Sequence, residues 1–151
     1  MGRPRGFDEG EVVRAAVTLF GRQSFAGTSV DDLVSHLGVH RGSLYKTFGS
    51  KRGLYLAALR QHVDRDVAAA AEVLAAATDV DEAVRRITVA GPDLGLLLLA
   101  LVERAPVDPE VAAETTRALA RLRDARAELD RALGLLLRTR ATGSAPEFVG
   151  E

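Results

Sequence analysis

The sequence predicts an all-α fold, and three observations carry the expectation. Leucine, alanine, valine and arginine dominate the composition. Apolar residues recur at i, i+3, i+4 and i+7 along most of the chain, the period of one helix face. No convincing run alternates apolar and polar residues in the manner of a half-buried strand. With 151 residues, 47% apolar and 5% aromatic, the chain can bury a real core as one domain or as a small head on a helical body. It has no cysteine, which excludes a disulfide framework, cysteine-based zinc sites and thiol catalysis.

Taken in order, Gly2-Arg3-Pro4-Arg5-Gly6 reads as an extended, flexible arm that holds two arginines away from the fold. A first helix starts near Asp8, with Glu11 at capping-box spacing, and buries Val12, Ala15, Ala16, Leu19 and Phe20. Phe25 closes the turn behind it. Thr28 or Ser29 caps a second helix, and Asp31 and Asp32 sit in its first turn, where the helix dipole favours them. Val30, Leu33, Val34 and Leu37 form its stripe, and Gly38 suits the left-handed position that ends it. The next helix, Val39 to Phe48, offers only Leu44 and Phe48 for burial, with Val39 at its entrance. His40, Arg41, Ser43, Tyr45, Lys46 and Thr47 are left on a polar, basic face. The two helices read as a helix-turn-helix, and that face carries the residue types that meet phosphates and base edges.

Ser50 caps a long helix expected to run from Lys51 to about Ala77, with Leu54, Ala57, Ala58 and Val63 inward. A helix over about 79–89 turns Val80, Ala83, Val84 and Ile87 inward, and Gly91-Pro92 ends it. Leu94 to Val102 is apolar nearly all round and is expected to be the buried helix of the body. Beside it, Glu103 and Arg104 read as an ion pair. Nine apolar residues fall well short of the roughly 20 a membrane span needs. No secretory leader is legible at Met1 to Phe7, so the chain is expected to be soluble and cytoplasmic. A last helix, about Pro109 to Arg138, carries Ala118, Leu122, Ala125, Leu129, Ala132 and Leu136 at alternating steps of four and three, a heptad seam that predicts self-association.

Charge is unevenly spread. Residues 1–52 hold eight Lys/Arg against five Asp/Glu, whereas the remainder holds twelve against sixteen. A basic head on an acidic body suits phosphate neutralisation by the head. The expected organisation is a head with its arm over 1–52, a ligand-binding and dimerisation body over 53–138, and a tail over 139–151.

The run Phe20…Gly27-Thr28-Ser29-Val30…Leu37-Gly38-Val39-His40-Arg41-Gly42-Ser43-Leu44-Tyr45…Phe48-Gly49-Ser50-Lys51…Leu54-Tyr55 resembles the DNA-binding head of TetR-family transcriptional regulators over roughly residues 7–60. The resemblance implies a three-helix, homeodomain-like head, a linking fourth helix and an all-helical body that binds a small-molecule effector. It further implies a homodimer acting, mostly as a repressor, on a near-palindromic double-stranded DNA operator. By this likeness Thr28, Ser29, Arg41, Gly42, Ser43, Tyr45, Lys46 and Lys51 meet DNA, and the residue reading adds Arg3, Arg5 and His40. His40 stands where the family most often has a capping serine. Family members usually end in two long interface helices, and the sequence is expected to supply only the first.

An enzyme is the main rival reading from another class, and the residues present do not favour it. His36, His40 and His62 are scattered, with no metal-binding spacing, and no Gly-rich phosphate loop follows a strand. No cofactor or metal is expected. A second reading is a regulator-derived protein that binds a ligand or partner without independent operator binding, because its dimerisation region is short.

Overall fold

The computed structural model describes residues 6–125 and 129–142, and local signals set most of the helix ends. Helix α1 (Glu9–Gln23) is capped by Asp8, whose carboxylate accepts the Glu11 N–H at 2.9 Å. Helix α2 (Val30–Leu37) opens on a complete capping box between Ser29 and Asp32 and closes at Gly38, at φ 63°. That left-handed conformation costs glycine little and would strain a residue with a Cβ. Helix α3 (Arg41–Phe48) starts at His40, which makes no side-chain cap. Ser50 caps α4 (Lys51–His62) by accepting the Gly53 N–H at 2.9 Å.

Helix α4 runs through a π-helical turn at Val63–Val67 into α5 (Ala68–Ala76), with helical backbone angles at both joins. The expected long rod is therefore present, with a π turn in its middle that the periodicity did not reveal. Asp79 caps α6 (Val80–Ala90), and Val80, Ala83, Val84 and Ile87 are all buried as expected. Helix α7 (Gly95–Leu99) continues into a second π turn, Ala100–Arg104. It is the central buried element through Leu98, while Val102 at its far end is 65% exposed. Gly21 of α1 lets the two backbones approach, since a Cβ there would lie 3.2 Å from the Leu96 nitrogen. No strand occurs among the described residues.

One apolar cluster runs from α1 through α8, so head and body share a continuous core. Helices of eight residues are marginal alone. Leu33 is the fully buried side chain of α2 and Leu44 that of α3. Each contributes about 1.5–3 kcal/mol by its removal from water. Phe20 and Phe25 meet the Tyr55 ring edge-on at 5.0 and 5.1 Å. These contacts tie α1 and the turn after it to α4.

The C-terminal stretch departs from the single helix expected of it. Helix α8 (Pro109–Ala125) and helix α9 (Leu129–Thr142) are separate elements. Helix α8 packs on α5 and α4, whereas α9 packs on α6. Ala118 and Leu122, the first two members of the expected intermolecular seam, are 0% and 1% exposed inside the chain's own core. Ala125 packs against that core, and Leu136 helps close over Val80 and Val84. The side chains of Leu129 and Ala132 lie outside the described residues. A heptad pattern reports a seam but not whose surface fills it, and here its described members fill intramolecular space.

Candidate nucleic-acid interface

Helices α2 and α3, joined at Gly38, pack on each other and on α1 and α4 respectively. The exposed part of this head is made by α3. His40, Arg41, Gly42, Tyr45 and Lys46 are exposed, and Ser43 and Thr47 are half-buried. The Tyr45 side chain is 39% exposed, so its ring is not a core anchor. Leu44 alone turns fully inward, with Phe48 packed beside it against the core, which fixes the helix's rotation and leaves the His40, Arg41, Tyr45 and Lys46 face exposed. A Cβ on Gly42 would meet nothing within 4 Å. No packing among the described residues calls for glycine at that position.

The flanking residues divide. Ser29 is exposed, and its hydroxyl both accepts the Asp32 N–H and donates to the Asp32 carboxylate. That bonding holds the Asp32 carboxyl below its usual range. Thr28 is a correction: it is 0% exposed, and its hydroxyl donates to the Ser24 carbonyl at 2.6 Å. Its side chain is part of the turn and is not open to a macromolecule. Arg41 pairs with Asp31 across the turn, both well exposed. Exposed pairs of this kind are worth little and exchange readily for other partners. Lys51 is only half-exposed, its ammonium lying 4.2 Å from the Phe25 ring centroid. Burial there lowers its affinity for a proton, partly offset by the nearby Glu103. Arg3 and Arg5 lie outside the described residues.

The contacts that hold this head on the body were not legible as such. The Glu103 carboxylate accepts the backbone N–H groups of Phe25 and Ala26 at 2.8 and 2.7 Å. The expected Glu103–Arg104 pair is therefore not what forms. Arg104 instead lies 4.5 Å from the centroid of the Phe25 ring, the ring that Lys51 also meets, and reaches Asp108 at 3.3 Å. Asp108, 4% exposed, takes a two-pronged contact from Arg52 at 2.7 and 2.8 Å. That guanidinium holds the Asp108 carboxyl well below the usual carboxylate range. Glu110 adds a third contact to Arg52 at 3.0 Å. The turn before α2 and the first turn of α4 are thus fastened to the π turn after α7 and to the start of α8.

Among the described residues no group of three or more acidic, histidine or cysteine side chains could hold a metal. No helix among them is long and apolar enough to cross a membrane. The arrangement offers a short, basic, hydroxyl-bearing helix on a rigid base, the shape and chemistry of a major-groove reader.

Comparison with known proteins agrees with this geometry. The family model described as "Bacterial regulatory proteins, tetR family" matches residues 12–58. YezE of Bacillus subtilis (strain 168), described as an uncharacterized HTH-type transcriptional regulator, is 38% identical over 134 residues, covering 83% of this chain and 69% of YezE. The HTH-type transcriptional repressor BdcR of Escherichia coli (strain K12) is 37% identical over 73 residues, 48% of this chain and 37% of BdcR. Among solved structures, a cysteine mutant of the TetR family regulator CifR, complexed with a 26-bp operator duplex, superimposes with a TM-score of 0.63 at 28% identity. It covers 88% of this chain and 74% of that one.

Proposed function

The chain belongs to the TetR family of bacterial transcriptional regulators, and on that premise we propose that it is a ligand-responsive repressor that binds a near-palindromic operator as a homodimer. It is a DNA-binding regulator of transcription and not an enzyme. The observation that carries the finer reading is the exposed face of α3, where His40, Arg41, Tyr45 and Lys46 stand clear of the fold around an unobstructed Gly42. In the proposal Tyr45, Ser43 and His40 meet base edges or sugar, and Arg41 and Lys46 meet phosphates. Gly42 permits close approach of the helix backbone, and Ser29 meets a phosphate at the start of α2. Lys51 contributes from the start of α4 by leaving the Phe25 ring, and Arg3 and Arg5 of the arm enter an adjacent minor groove.

Two-fold operators require recognition helices about one DNA turn apart, roughly 34 Å, so the chains must pair. The second helix, α9, together with α6 supports pairing through their outer surface, where Val89 is 71% and Leu137 43% exposed. Residues 1–52 form the reading head in this proposal and 53–138 the body that pairs and senses. The effector site proposed for the body is the cavity of about 280 Å3 between α6, α7 and α9, with Ile87, Leu94, Leu98 and Leu136 on its walls. A ligand there releases DNA only by binding the non-operator arrangement of the heads more tightly than the operator arrangement. The protein acts in the cytoplasm, where its DNA is.

The test is selection of duplexes from a random-sequence pool by the purified protein. Enrichment of a two-fold site with half-sites about one helical turn apart is expected. A pool that stays random after repeated rounds would refute operator recognition.

A further inference from the structure

A second cavity, of about 190 Å3, lies where the head meets the body, between α1, the π turn after α4 and the start of α7. From it we infer a binding site for a small carboxylate that also carries a hydrogen-bond donor, of the amino- or hydroxy-acid class. The site neighbours the effector cavity of the body, with Asp93 on the walls of both, but carries two arginines that the other lacks.

The argument starts at His62. Its side chain is fully buried, and its Nδ1 lies 2.8 Å from the Asp66 carboxylate. A carboxylate only accepts, so Nδ1 carries the proton of that contact, and a ring with one proton then presents Nε2 as an acceptor. Nε2 has no hydrogen-bond partner in the protein, and neither does the buried Oε1 of the adjacent Gln61. Both residues line the cavity. Burying such acceptors without a donor costs about 1–3 kcal/mol each. The π turn follows His62 directly and carries its partner Asp66. Such turns in long helices are frequent at functional sites.

The other wall supplies the opposite requirement. Arg14 of α1 and Arg65 of the π turn both line the cavity and are exposed. Neither makes an ion pair among the described residues, unlike Arg52, Arg60, Arg117 and Arg121. Asp93, whose Oδ1 accepts the Gly95 N–H at 2.7 Å, also lines the cavity on the acceptor side. Two guanidiniums without an ion pair, set beside these acceptors, call for one molecule with an anionic end and a donor end. Thr18, also on the wall, can serve either end. The space lies below the roughly 300–1,000 Å3 of sites for drug-sized ligands, so the molecule has a short chain. Such a ligand would touch α1 of the head and the π turn of the body at once.

The experiment uses the free protein without DNA, so it stands or falls independently of operator recognition. A panel of short-chain amino- and hydroxy-carboxylates, beginning with alanine, serine, lactate and malate, is titrated by calorimetry. Propionate, which lacks the donor, and ethanolamine, which lacks the carboxylate, serve as controls. At least one panel member is expected to saturate one site per chain, with the controls and the Arg14→Ala and Arg65→Ala variants each roughly tenfold or more weaker. Both arginines are exposed, so these variants should fold. The 15N resonance of His62 Nε2 should move on saturation, as an acceptor gains its donor. No binding by any panel member, undiminished binding in the arginine variants, or an unmoved His62 resonance would each overturn the assignment.

Discussion

Removing the Glu103 carboxylate should loosen the reading head from its base without touching its exposed face. Glu103 lies in the π turn after α7, and its two oxygens take the Phe25 and Ala26 N–H groups at 2.8 and 2.7 Å, 78 and 77 residues away in sequence. A hydrogen bond to a charged group is worth about 1.5–3 kcal/mol. Both contacts are partly exposed, which places each near the lower end of that range. Glu103→Ala should therefore destabilise the protein by about 2–3 kcal/mol. For a chain of this size that is a fall in Tm of roughly 5–10 °C. Glu103→Gln keeps one good acceptor and should lose about half as much. Thermal unfolding followed by circular dichroism at fixed protein concentration reads the effect, and hydrogen exchange at Phe25 and Ala26 localises it. A Glu103→Ala protein with unchanged Tm and unchanged protection at these two amides would refute the latch.

Gly42→Ala should raise stability by roughly 0.5–1 kcal/mol, because the new methyl meets open space and alanine favours helix, while weakening operator binding in a gel-shift assay. A tolerant operator would remove Gly42 from the interface. Leu137→Arg, on the exposed side of α9, should shift the sedimentation profile from dimer to folded monomer at micromolar concentration; a retained dimer would place the interface elsewhere. Asp108 has its carboxyl pKa depressed by Arg52. Its contribution to stability is therefore fully present above the ordinary aspartate value of about 3.9 and fades as the pH falls below it toward the folded value. Asp108→Asn should be less stable at neutral pH and lose up to one proton's worth of slope in acid unfolding, whereas equal slopes would deny the ion pair that role.

Much of the head was legible because its signals are local. Asp8, Ser29, Gly38 and Ser50 act over three or four residues, and each cap formed where sequence put it. The single inward leucine of α3 was readable for the same reason. Thr28 was misread because a threonine before a helix is equally at home as an outward cap or as a buried turn residue. Only the packing around Ser24 decides. The body was less legible. Nothing in residues 109–138 breaks the heptad, yet its described members are shared between α8 on the core and α9 on α6. Tertiary packing overrides local propensity in such a stretch. The Glu103, Arg52 and His62 contacts join residues far apart or depend on a π turn, and neither leaves a periodic trace in sequence.

The central claim, that the outer face of α3 reads DNA, is tested most directly by measuring operator affinity against salt for the wild type, Lys46→Ala and Tyr45→Ala. The duplex is the one selected from the random pool. Fluorescence anisotropy is read across a range of salt. Lys46→Ala should bind more weakly on every sequence and flatten the slope of log K against log salt by about one phosphate's share, close to 0.9 per chain. Tyr45→Ala should keep the wild-type slope, lose affinity for the selected site more than for random DNA, and unfold at the wild-type temperature. Wild-type affinity and slope in both variants would contradict the assignment of this face.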